Sequence, residues 1–486
     1  MNRSRRAVVL PALLALLALV AAGCGQKNGV HLASGGAASA GSNASTAGGV
    51  GAGEATGTET GAATGTETGT GAAAGATTAG ATSGAAATGG KASTGGGAST
   101  GGGAAGGATG GTTATGSSPG VTDTEIRIGI HAPVTGAAPF PATSFNDGKA
   151  VYFNFLNDKG GINGRKVKVF FEDDGYNPSQ AVAVCKKMVE QDKVFLLVGG
   201  GGTDQIVACS QYASSVGVPY LAEGVTEQGL DKLQSYFALS MTYKAQAKLL
   251  AQYMKNVLHV TKVGMIRGNT ANFDDAHAGF LAAAQQTGLQ VVKDIVIDKN
   301  ASSSAALQAG GSICSDRTNA PQAMYPLIAP SIWVQIVAGA NAQACTPTWS
   351  GVGITEGLNI VATAVCGAAA NTKAHFFSPT MGIADAGKFD PDYVSAYQKQ
   401  NGKAGDDIGL ILWGASKIIG NMLGNAGKAL NRQSFVSSNL GKMVHTGVYP
   451  DVNYTGTRFG GTAVHVLNLN CGAQRYDTEA TFKTSF

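Results

Sequence analysis

A chain of 486 residues is long enough for two or three domains, but most of the excess among its 72 glycines lies before Ser118, which restricts the part that can fold around a core. The formal net charge of +4 is small for this length and forms no basic block. The charge pattern therefore argues against a nucleic-acid partner.

The N-terminal residues predict an export signal. Three arginines within residues 1–6 precede an apolar run over residues 7–22, and this run is shorter than the about 20 residues that a membrane-spanning helix needs. The sequence Ala-Ala-Gly-Cys that ends at Cys24 resembles the lipobox of bacterial lipoproteins. That resemblance implies a signal peptide over residues 1–23, cleavage before Cys24 and a lipid anchor on its thiol. A twin-arginine export route stays open.

Residues 24–118 predict a disordered tether. From about Ser34 onward this segment is almost entirely Gly, Ala, Ser and Thr, with a local TETG repeat. Such residues offer no large apolar side chains whose burial could offset the entropy cost of ordering. A Gly-rich coil of about 85 residues has an r.m.s. span of roughly 50 Å. The segment fits a passive spacer that lifts a domain away from a membrane.

The folded part begins with alternating strands and helices. Asn177, Pro178 and Gln180 read as a cap, a first helical residue and a box-like partner for one helix. This alternation requires parallel strands joined by helical crossovers. The predicted elements are strand Ile126–Ile130, helix Asp147–Asn157, strand Val167–Phe171, the helix capped by Asn177, strand Val194–Val198, a helix from Thr203 and strand Val218–Leu221.

A second alternating set follows and extends the α/β prediction to the rest of the chain. Helix Asp407–Leu423 is expected to pack on the first set. The further predicted elements are helix Lys244–Leu258, strand Val263–Ile266, helix Ala276–Thr287, strand Leu289–Ile297, and the strand candidates Ala323–Ile328, Thr346–Trp349 and Ile360–Val365.

The amino-acid sequence of the first set is similar to that of a known family. The segments DKGGINGRKV, EDDGYNPSQAVAV and VFLLVGGGGT resemble the N-terminal lobe of type I periplasmic binding proteins, in the leucine/isoleucine/valine-binding branch. The resemblance implies two doubly wound lobes joined by a three-crossing hinge. It places the first lobe at 119–241 and 379–458, and the second at 242–378 and 459–486. The crossings are expected near Leu239–Tyr243, Phe377–Met381 and Gly456–Gly461.

The resemblance also implies a function. A protein of this family is a solute-binding protein that captures a small molecule between its lobes and delivers it to an ABC permease, here as a monomer held on the extracytoplasmic face of the membrane. No enzymatic activity is expected. Two alternatives stay open: a ligand-sensing receptor of the same fold, and an exported enzyme.

The cysteines predict disulfides. Without Cys24, six remain, and an even number in an exported protein indicates disulfide bonds because the compartment is oxidising. The favoured pairs flank single strands or approach the C-terminus: Cys185 with Cys209, Cys314 with Cys345, and Cys366 with Cys471. The alternative is buried free thiols. No paired C-x-x-C spacing occurs and the seven histidines are scattered, so no metal or cofactor is expected.

The candidate ligand-binding residues follow strand ends. Gly199–Gly202 would let backbone approach a ligand, and Thr203 opens a helix whose N–H groups favour an anion. By the resemblance, Thr203 and the triplet Gly224, Val225 and Thr226 take the positions of an amino-acid clamp, and Phe140 that of a covering aromatic. Phe273 could wall the cleft. Ordinary helix capping and turn bonding are the alternative for both threonines.

Two acidic features need separate interpretation. The second lobe does not show the aromatic and acidic groups with which the family's amino-acid binders hold an ammonium, and Glu356 is close to the expected position but displaced. A carboxylate, an amide or an apolar ligand is therefore equally admissible. Glu172-Asp173-Asp174 follows a strand, and such residues usually cap the following turn.

Overall fold

The computed structural model describes residues 118–353 and 356–486. The predictions for the signal peptide, for Cys24 and for all but the last residue of the tether lie outside the described residues. None of the helices in the described ranges combines the length and the apolar character that crossing a membrane requires.

The first lobe is built on a parallel five-stranded sheet. Its order is β2-β1-β3-β4-β5, and every neighbouring pair is parallel. The central positions are apolar on both faces, as a sheet covered by helices requires; Leu196 and Leu197, for instance, are fully buried. The strands are β1 (Glu125–Ala132), β2 (Lys166–Asp173), β3 (Leu196–Gly199), β4 (Tyr220–Ala222) and β5 (Tyr236–Ala238).

Helices connect the first four strands, and the predicted helix Asp147–Asn157 is divided, since one helix ends at Gly148 and the next begins at Val151. Asn177 caps the third helix by accepting hydrogen bonds from the N–H groups of Ser179 and Gln180 at 2.9 and 3.1 Å. The Gln180 side chain does not complete a capping box, since it donates to the Asp173 carbonyl. The helices are α1 (Ala142–Gly148), α2 (Val151–Asp158), α3 (Pro178–Glu190) and α4 (Thr203–Ser215).

The second lobe repeats this topology. The strands β7, β6, β8, β9 and β10 lie side by side in that order, all parallel, so both sheets have the order 2-1-3-4-5 counted from their own first strand. The elements are α5 (Tyr243–Asn256), β6 (Lys262–Gly268), α6 (Asp274–Thr287), β7 (Gln290–Ile297), α7 (Ser303–Ser312), β8 (Ala323–Leu327), α8 (Pro330–Ala342), β9 (Thr348–Gly351), α9 (Asn359–Ala368) and β10 (Ala374–Ser378).

The chain then returns to the first lobe. Trp413, on the longest of the returning helices, packs edge-on against Tyr152 of α2 with ring centroids 5.0 Å apart. The returning elements are α10 (Ala386–Phe389), α11 (Pro391–Asn401), α12 (Asp407–Asn425), α13 (Arg432–Asn439), β11 (Met443–Val444) and β12 (Val452–Asn453). The antiparallel strands β13 (Val464–Asn470) and β14 (Arg475–Lys483) finally extend the second sheet beside β10.

The chain therefore passes between the two sheets three times: after β5, after β10 and before β13. The first and third passages touch through their backbones. A Cβ atom on Gly461 would lie 1.9 Å from the backbone nitrogen of Met241, so only glycine fits there. Two doubly wound lobes joined by a three-crossing hinge, the predicted fold class, are confirmed.

Three disulfides connect the elements in the pairs that the sequence favours. Cys185 and Cys209 join α3 to α4, Cys314 and Cys345 join the segments that follow α7 and α8, and Cys366 in α9 joins Cys471 after β13. Their Cα–Cα distances of 6.1, 5.7 and 5.3 Å lie in the range that disulfides span without backbone movement.

One predicted element is wrong. Ile360–Val365 was expected to be a strand, but these residues belong to helix α9. The run is rich in β-branched and apolar residues, which favours a strand locally. Its burial has helical spacing instead, since Val361 and Val365 are buried whereas Ile360 is 54% exposed.

Candidate ligand-binding site

A cavity lies between the carboxyl ends of the two parallel sheets. It holds about 810 Å³ of empty space, with the solvent at its mouth included. The first lobe contributes residues that follow β1, β2 and β3, and the second lobe contributes residues that follow β6, β8 and β9. This is where ligands bind in open parallel sheets, beyond the strand ends at the topological switch.

The first-lobe wall is formed by the glycine loop after β3. The N–H of Gly200 donates to the His131 carbonyl at 2.8 Å, and Gly201 lies so close to the Phe140 ring that a Cβ atom would come within 2.5 Å of it. Gly202 precedes α4 with φ +76° and has no side chain that could accept a hydrogen bond from the first N–H groups of the helix. Thr203 then opens α4, 7% exposed and facing the cavity. The uncapped helix start offers N–H groups to an anion.

Two tyrosines that the sequence analysis missed also line the cavity. Tyr176 has a left-handed backbone (φ +56°), and its N–H donates to Asp174 Oδ1 at 3.0 Å. Burial, together with the nearby carboxylates of Asp204 and Glu356, raises the pKa of Tyr176 to about 12. Burial likewise raises the pKa of Tyr243, against a hydrogen bond from Thr203. Both hydroxyls therefore stay protonated at neutral pH.

The second-lobe wall is mainly apolar and carries one carboxylate. Phe273, Ile328 and Leu358 face the space, and Glu356, which is 3% exposed, lies among them. From the sequence, Glu356 is displaced from the position of the family's acidic group. It nevertheless lies in the cavity wall. No Lys, Arg or His occurs among the described residues that line this cavity.

The predicted site residues divide into two groups. Thr203, Phe140 and Phe273 meet in the cavity wall. Gly224, Val225 and Thr226 do not line it. Val225 is buried in the first-lobe core, and the Thr226 hydroxyl accepts a hydrogen bond from the Gln228 N–H at 3.0 Å, which is ordinary turn bonding.

Gly224 lies instead at a smaller cavity beside the hinge. A Cβ atom there would come within 2.4 Å of the carbonyl oxygens of Ser240 and Met241, so close backbone packing explains this glycine. The hinge cavity has about 350 Å³ of empty space, and Tyr243 lines both cavities. Burial raises the pKa of Glu223 in its wall, while hydrogen bonds from Tyr449 and Ser240 oppose that rise.

The acidic run after β2 caps and positions its surroundings. Asp173 accepts hydrogen bonds from the N–H groups of Val134 and Gly175, each at 3.0 Å, and from the hydroxyl of Thr135 at 2.5 Å. Asp174 is fully buried and lies 2.8 Å from His131 Nδ1. The hydrogen bond that the Tyr176 N–H donates to the Asp174 carboxylate links this buried pair to the cavity wall.

A buried cluster near this run has metal-ligand residue types. The ligand atoms of His131, Cys185 and Cys209 lie within 4.8 Å of one another. The two cysteines are joined to each other, so neither offers a thiolate. His131 Nε2 is 2.6 Å from the hydroxyl of Tyr220, which accounts for its second ring nitrogen. The cluster is a structural part of the first-lobe core.

These features define a class of protein: a two-lobed binding protein with its ligand site in the cleft between the lobes. The family model described as periplasmic binding protein matches residues 125–469, which is more than half of the chain. The chain belongs to this periplasmic binding protein family, and the resemblance seen in the sequence is confirmed.

Curated relatives match part of the chain. It is 31% identical over 147 residues to an amino acid binding protein of Pseudomonas aeruginosa, covering 29% of this chain and 38% of the relative. It is 29% identical over 174 residues to Leu/Ile/Val-binding protein homolog 3 of Brucella melitensis, covering 35% and 46%. The chain thus spans less than half the length of these relatives.

Solved structures extend the similarity to the whole fold. A fatty acid ABC transporter substrate-binding protein from Thermomonospora curvata matches with a TM-score of 0.64 and 18% identity, over 76% of this chain and 94% of the other. The branched-chain amino acid transporter substrate-binding protein LivJ from Streptococcus pneumoniae, in complex with isoleucine, matches with a TM-score of 0.61 and 17% identity, over 74% and 98%. At these identities the likeness shows the fold.

Proposed function

We propose that this protein captures a small solute in the interlobe cavity and delivers it to an ABC permease from a lipid-anchored position outside the cytoplasm. A solute-binding role follows from the family. The observation that carries the proposal is the cavity itself, which is bounded by the strand ends of both lobes and combines apolar walls with few polar groups. Closure of the lobes would bury the solute and create the form that docks on a permease.

The lining favours a ligand with an apolar body and polar ends. The uncapped start of α4 and the Thr203 hydroxyl suit a carboxylate. Glu356 in the opposite wall suits an ammonium group, and Phe140, Phe273 and Leu358 suit an apolar side chain. An apolar amino acid satisfies all three. Relatives and neighbours carry names that mention amino acids, isoleucine, fatty acid and benzoate, so related carboxylates and amides belong in the same test.

Thermal unfolding against a ligand panel tests the proposal. Residues 118–486 are heated with leucine, isoleucine, valine, other amino acids, short and aromatic carboxylates, amides and sugars. A ligand at about 100 times its Kd stabilises the folded state by about 2.7 kcal/mol and raises the melting temperature. We expect at least one apolar amino acid or related carboxylate to do so.

Two threonine variants form a matched pair for this test. Thr203→Ala removes a hydroxyl in the cavity wall, and Thr226→Ala removes one that lies outside it. We expect the first variant to lose the ligand-induced shift and the second to keep it, which also tests the predicted ligand contact of Thr226. A panel that leaves the wild-type melting temperature unchanged throughout, or a shift that survives Thr203→Ala, would contradict the proposed site.

A further inference from the structure

A carboxylate of the first lobe is held by three donors of the second lobe. Asp204 is the second residue of α4 and follows Thr203 directly. Its Oδ1 accepts hydrogen bonds from Thr270 Oγ1 at 2.7 Å and from Asn272 Nδ2 at 2.6 Å. Its Oδ2 is paired with the ammonium of Lys299. We call this cluster of four residues the latch.

The donors come from two separate connections of the second lobe. Thr270 and Asn272 belong to the segment after β6, and Lys299 follows β7. Thr270 also accepts a hydrogen bond from the Asn272 N–H at 3.3 Å, which fixes this short segment. The three donors depend on Asp204 for a common acceptor, so rotation of one lobe away from the other would break all three contacts at once.

The latch is sheltered enough from water for its ion pair to stabilise the contact between the lobes. The side chain of Asp204 is 14% exposed and that of Lys299 is 30% exposed, whereas pairs at full exposure contribute little because water and salt screen them. Burial alone would raise the pKa of Asp204. The bonds from Lys299, Asn272 and Thr270 outweigh it and lower that pKa below its usual value.

The latch is adjacent to the cavity. Asp204 and Lys299 line a small recess beside the cavity. The two spaces adjoin each other, because Tyr176, Thr203 and Phe273 line both. Closure of the lobes over a ligand at Thr203 and formation of the latch therefore involve the same helix start.

Other contacts also join the lobes. Beside the first hinge crossing, Glu227 accepts from Lys244 Nζ at 2.9 Å and from Thr242 Oγ1 at 3.1 Å, and this ion pair is more exposed than that of the latch. Two further contacts are single bonds to backbone. Asp275 of α6 accepts from the N–H of Glu227 at 2.7 Å, and the Ser331 hydroxyl donates to the Ala137 carbonyl at 3.2 Å. Each joins one side chain to backbone. The latch combines an ion pair with two side-chain hydrogen bonds, and charge-assisted bonds of this kind are about twice as strong as neutral ones.

We infer that Asp204 is the closure residue of this protein: it holds the two lobes together beside the cavity through Thr270, Asn272 and Lys299, and so sets how firmly a captured solute is retained. This inference rests on the proposed function in that closure is the step that traps the solute. Asp204 does not line the cavity, so it acts by positioning the lobes.

The interlobe distance tests this inference without knowledge of the ligand. In the full chain, spin labels are attached through non-canonical residues at the exposed positions Lys186 on α3 and Gln308 on α7, which leaves the disulfides intact. Distances are measured for the wild type, Asp204→Ala, Lys299→Ala and the charge-reversed pair Asp204→Lys with Lys299→Asp. The matched control is Glu172→Ala, which removes a short ion pair with Lys187 that lies within the first lobe.

We expect both alanine variants to shift the distances to longer values, the charge-reversed pair to return part of the population to the wild-type distance, and the control to match the wild type. With the solute that the panel identifies, Asp204→Ala should release it about tenfold faster or more. Near-ultraviolet circular dichroism shows whether each variant is folded. Lys299→Ala, at the more exposed residue of the pair, serves if Asp204→Ala does not fold.

Superimposable distances for Lys299→Ala and the wild type, or equal opening in the Glu172→Ala control, would overturn the latch. Failure of the proposed function has a different signature, because the distances would still respond to Lys299→Ala while no compound of the panel raised the melting temperature. The two ideas can therefore fail separately.

Discussion

The buried histidine of the second sheet gives a pH dependence of stability with a calculable size. His465 on β13 is fully buried, and its Nε2 lies 3.1 Å from the Val448 carbonyl oxygen. The neutral ring donates to that carbonyl, and its Nδ1 has no partner among the described residues. The Phe482 ring packs edge-on against it, 4.6 Å away. Burial lowers the pKa of His465 to about 4, although the bond to Val448 opposes this.

The sign follows from comparing the two states. An unfolded histidine has a pKa of about 6.5, so below that pH the unfolded chain takes up a proton that the folded chain refuses. Stability is complete above about pH 6.5 and falls as the pH decreases toward about 4. Since a tenfold change in proton affinity is worth about 1.4 kcal/mol, the loss from this one group approaches about 3 kcal/mol at the acidic end.

The assay compares the wild type with His465→Gln, which retains an N–H donor for the Val448 carbonyl and carries no titrating ring. Urea unfolding is followed from pH 7.5 to pH 4, using fluorescence of Trp333 and Trp349 in the same lobe. Carboxyl groups titrate in both chains, so the difference between the two curves isolates His465. We expect the free energy of unfolding of the variant to fall less steeply below pH 6.5. Parallel curves over this range would refute the reasoning.

Two further predictions concern packing and buried charge. Gly461→Ala should lower the melting temperature, because its Cβ would lie 1.9 Å from the backbone nitrogen of Met241 in the hinge. The control Gly424→Ala lies on an exposed turn of α12 where a Cβ would have no atom within 4 Å, and it should raise stability by about 0.5–1 kcal/mol. A loss of stability in both variants would contradict this account. Asp390 is 4% exposed and accepts from Trp413 Nε1 at 2.8 Å and Lys417 Nζ at 2.6 Å. Asp390→Ala should therefore cost about 3–5 kcal/mol in urea unfolding, and a cost below about 1 kcal/mol would show that the pair is not effectively buried.

The first lobe could be predicted from sequence because its signals are local. The first three strands are each followed by a helix, and Asn177 with Pro178 marks one helix start by side-chain chemistry. Strand β5 was not predicted, because its three residues, Tyr236–Ala238, are too few to show a repeating pattern of apolar and polar side chains. The second lobe was harder, since the apolar segment within α9 fits either a strand or a helix until its burial is known.

The cavity wall could be predicted only in part. Thr203 and Phe140 follow strand ends that the sequence shows, and Phe273 follows β6. Tyr176 reaches the wall through a left-handed backbone held by a carboxylate two residues earlier. Glu356 also lies outside any helix or strand. Such placements depend on backbone turns that residue periodicity does not encode.

The triplet from Gly224 to Thr226 shows which information was missing. In a parallel sheet all carboxyl ends lie at one edge, so the sequence predicts that the residues after β3 and after β4 are both near the ligand. The two strands are neighbours in the sheet, yet only the residues after β3 line the cavity. The chain reverses direction across the sheet between β1 and β3, and the residues after these two strands border the cavity.

Strand β4 lies farther along, beside β5, from which the first hinge crossing leaves, so its end packs against the hinge. The second sheet differs here, because residues after β9, the counterpart of β4, border the cavity together with those after β6 and β8. The ends of the first and third strands of each sheet border the cavity, whereas the end of the fourth strand does so in the second lobe and not in the first. The position of the residues after a fourth strand therefore depends on the turn that follows the strand, and in the first lobe that turn buries Val225 in the core.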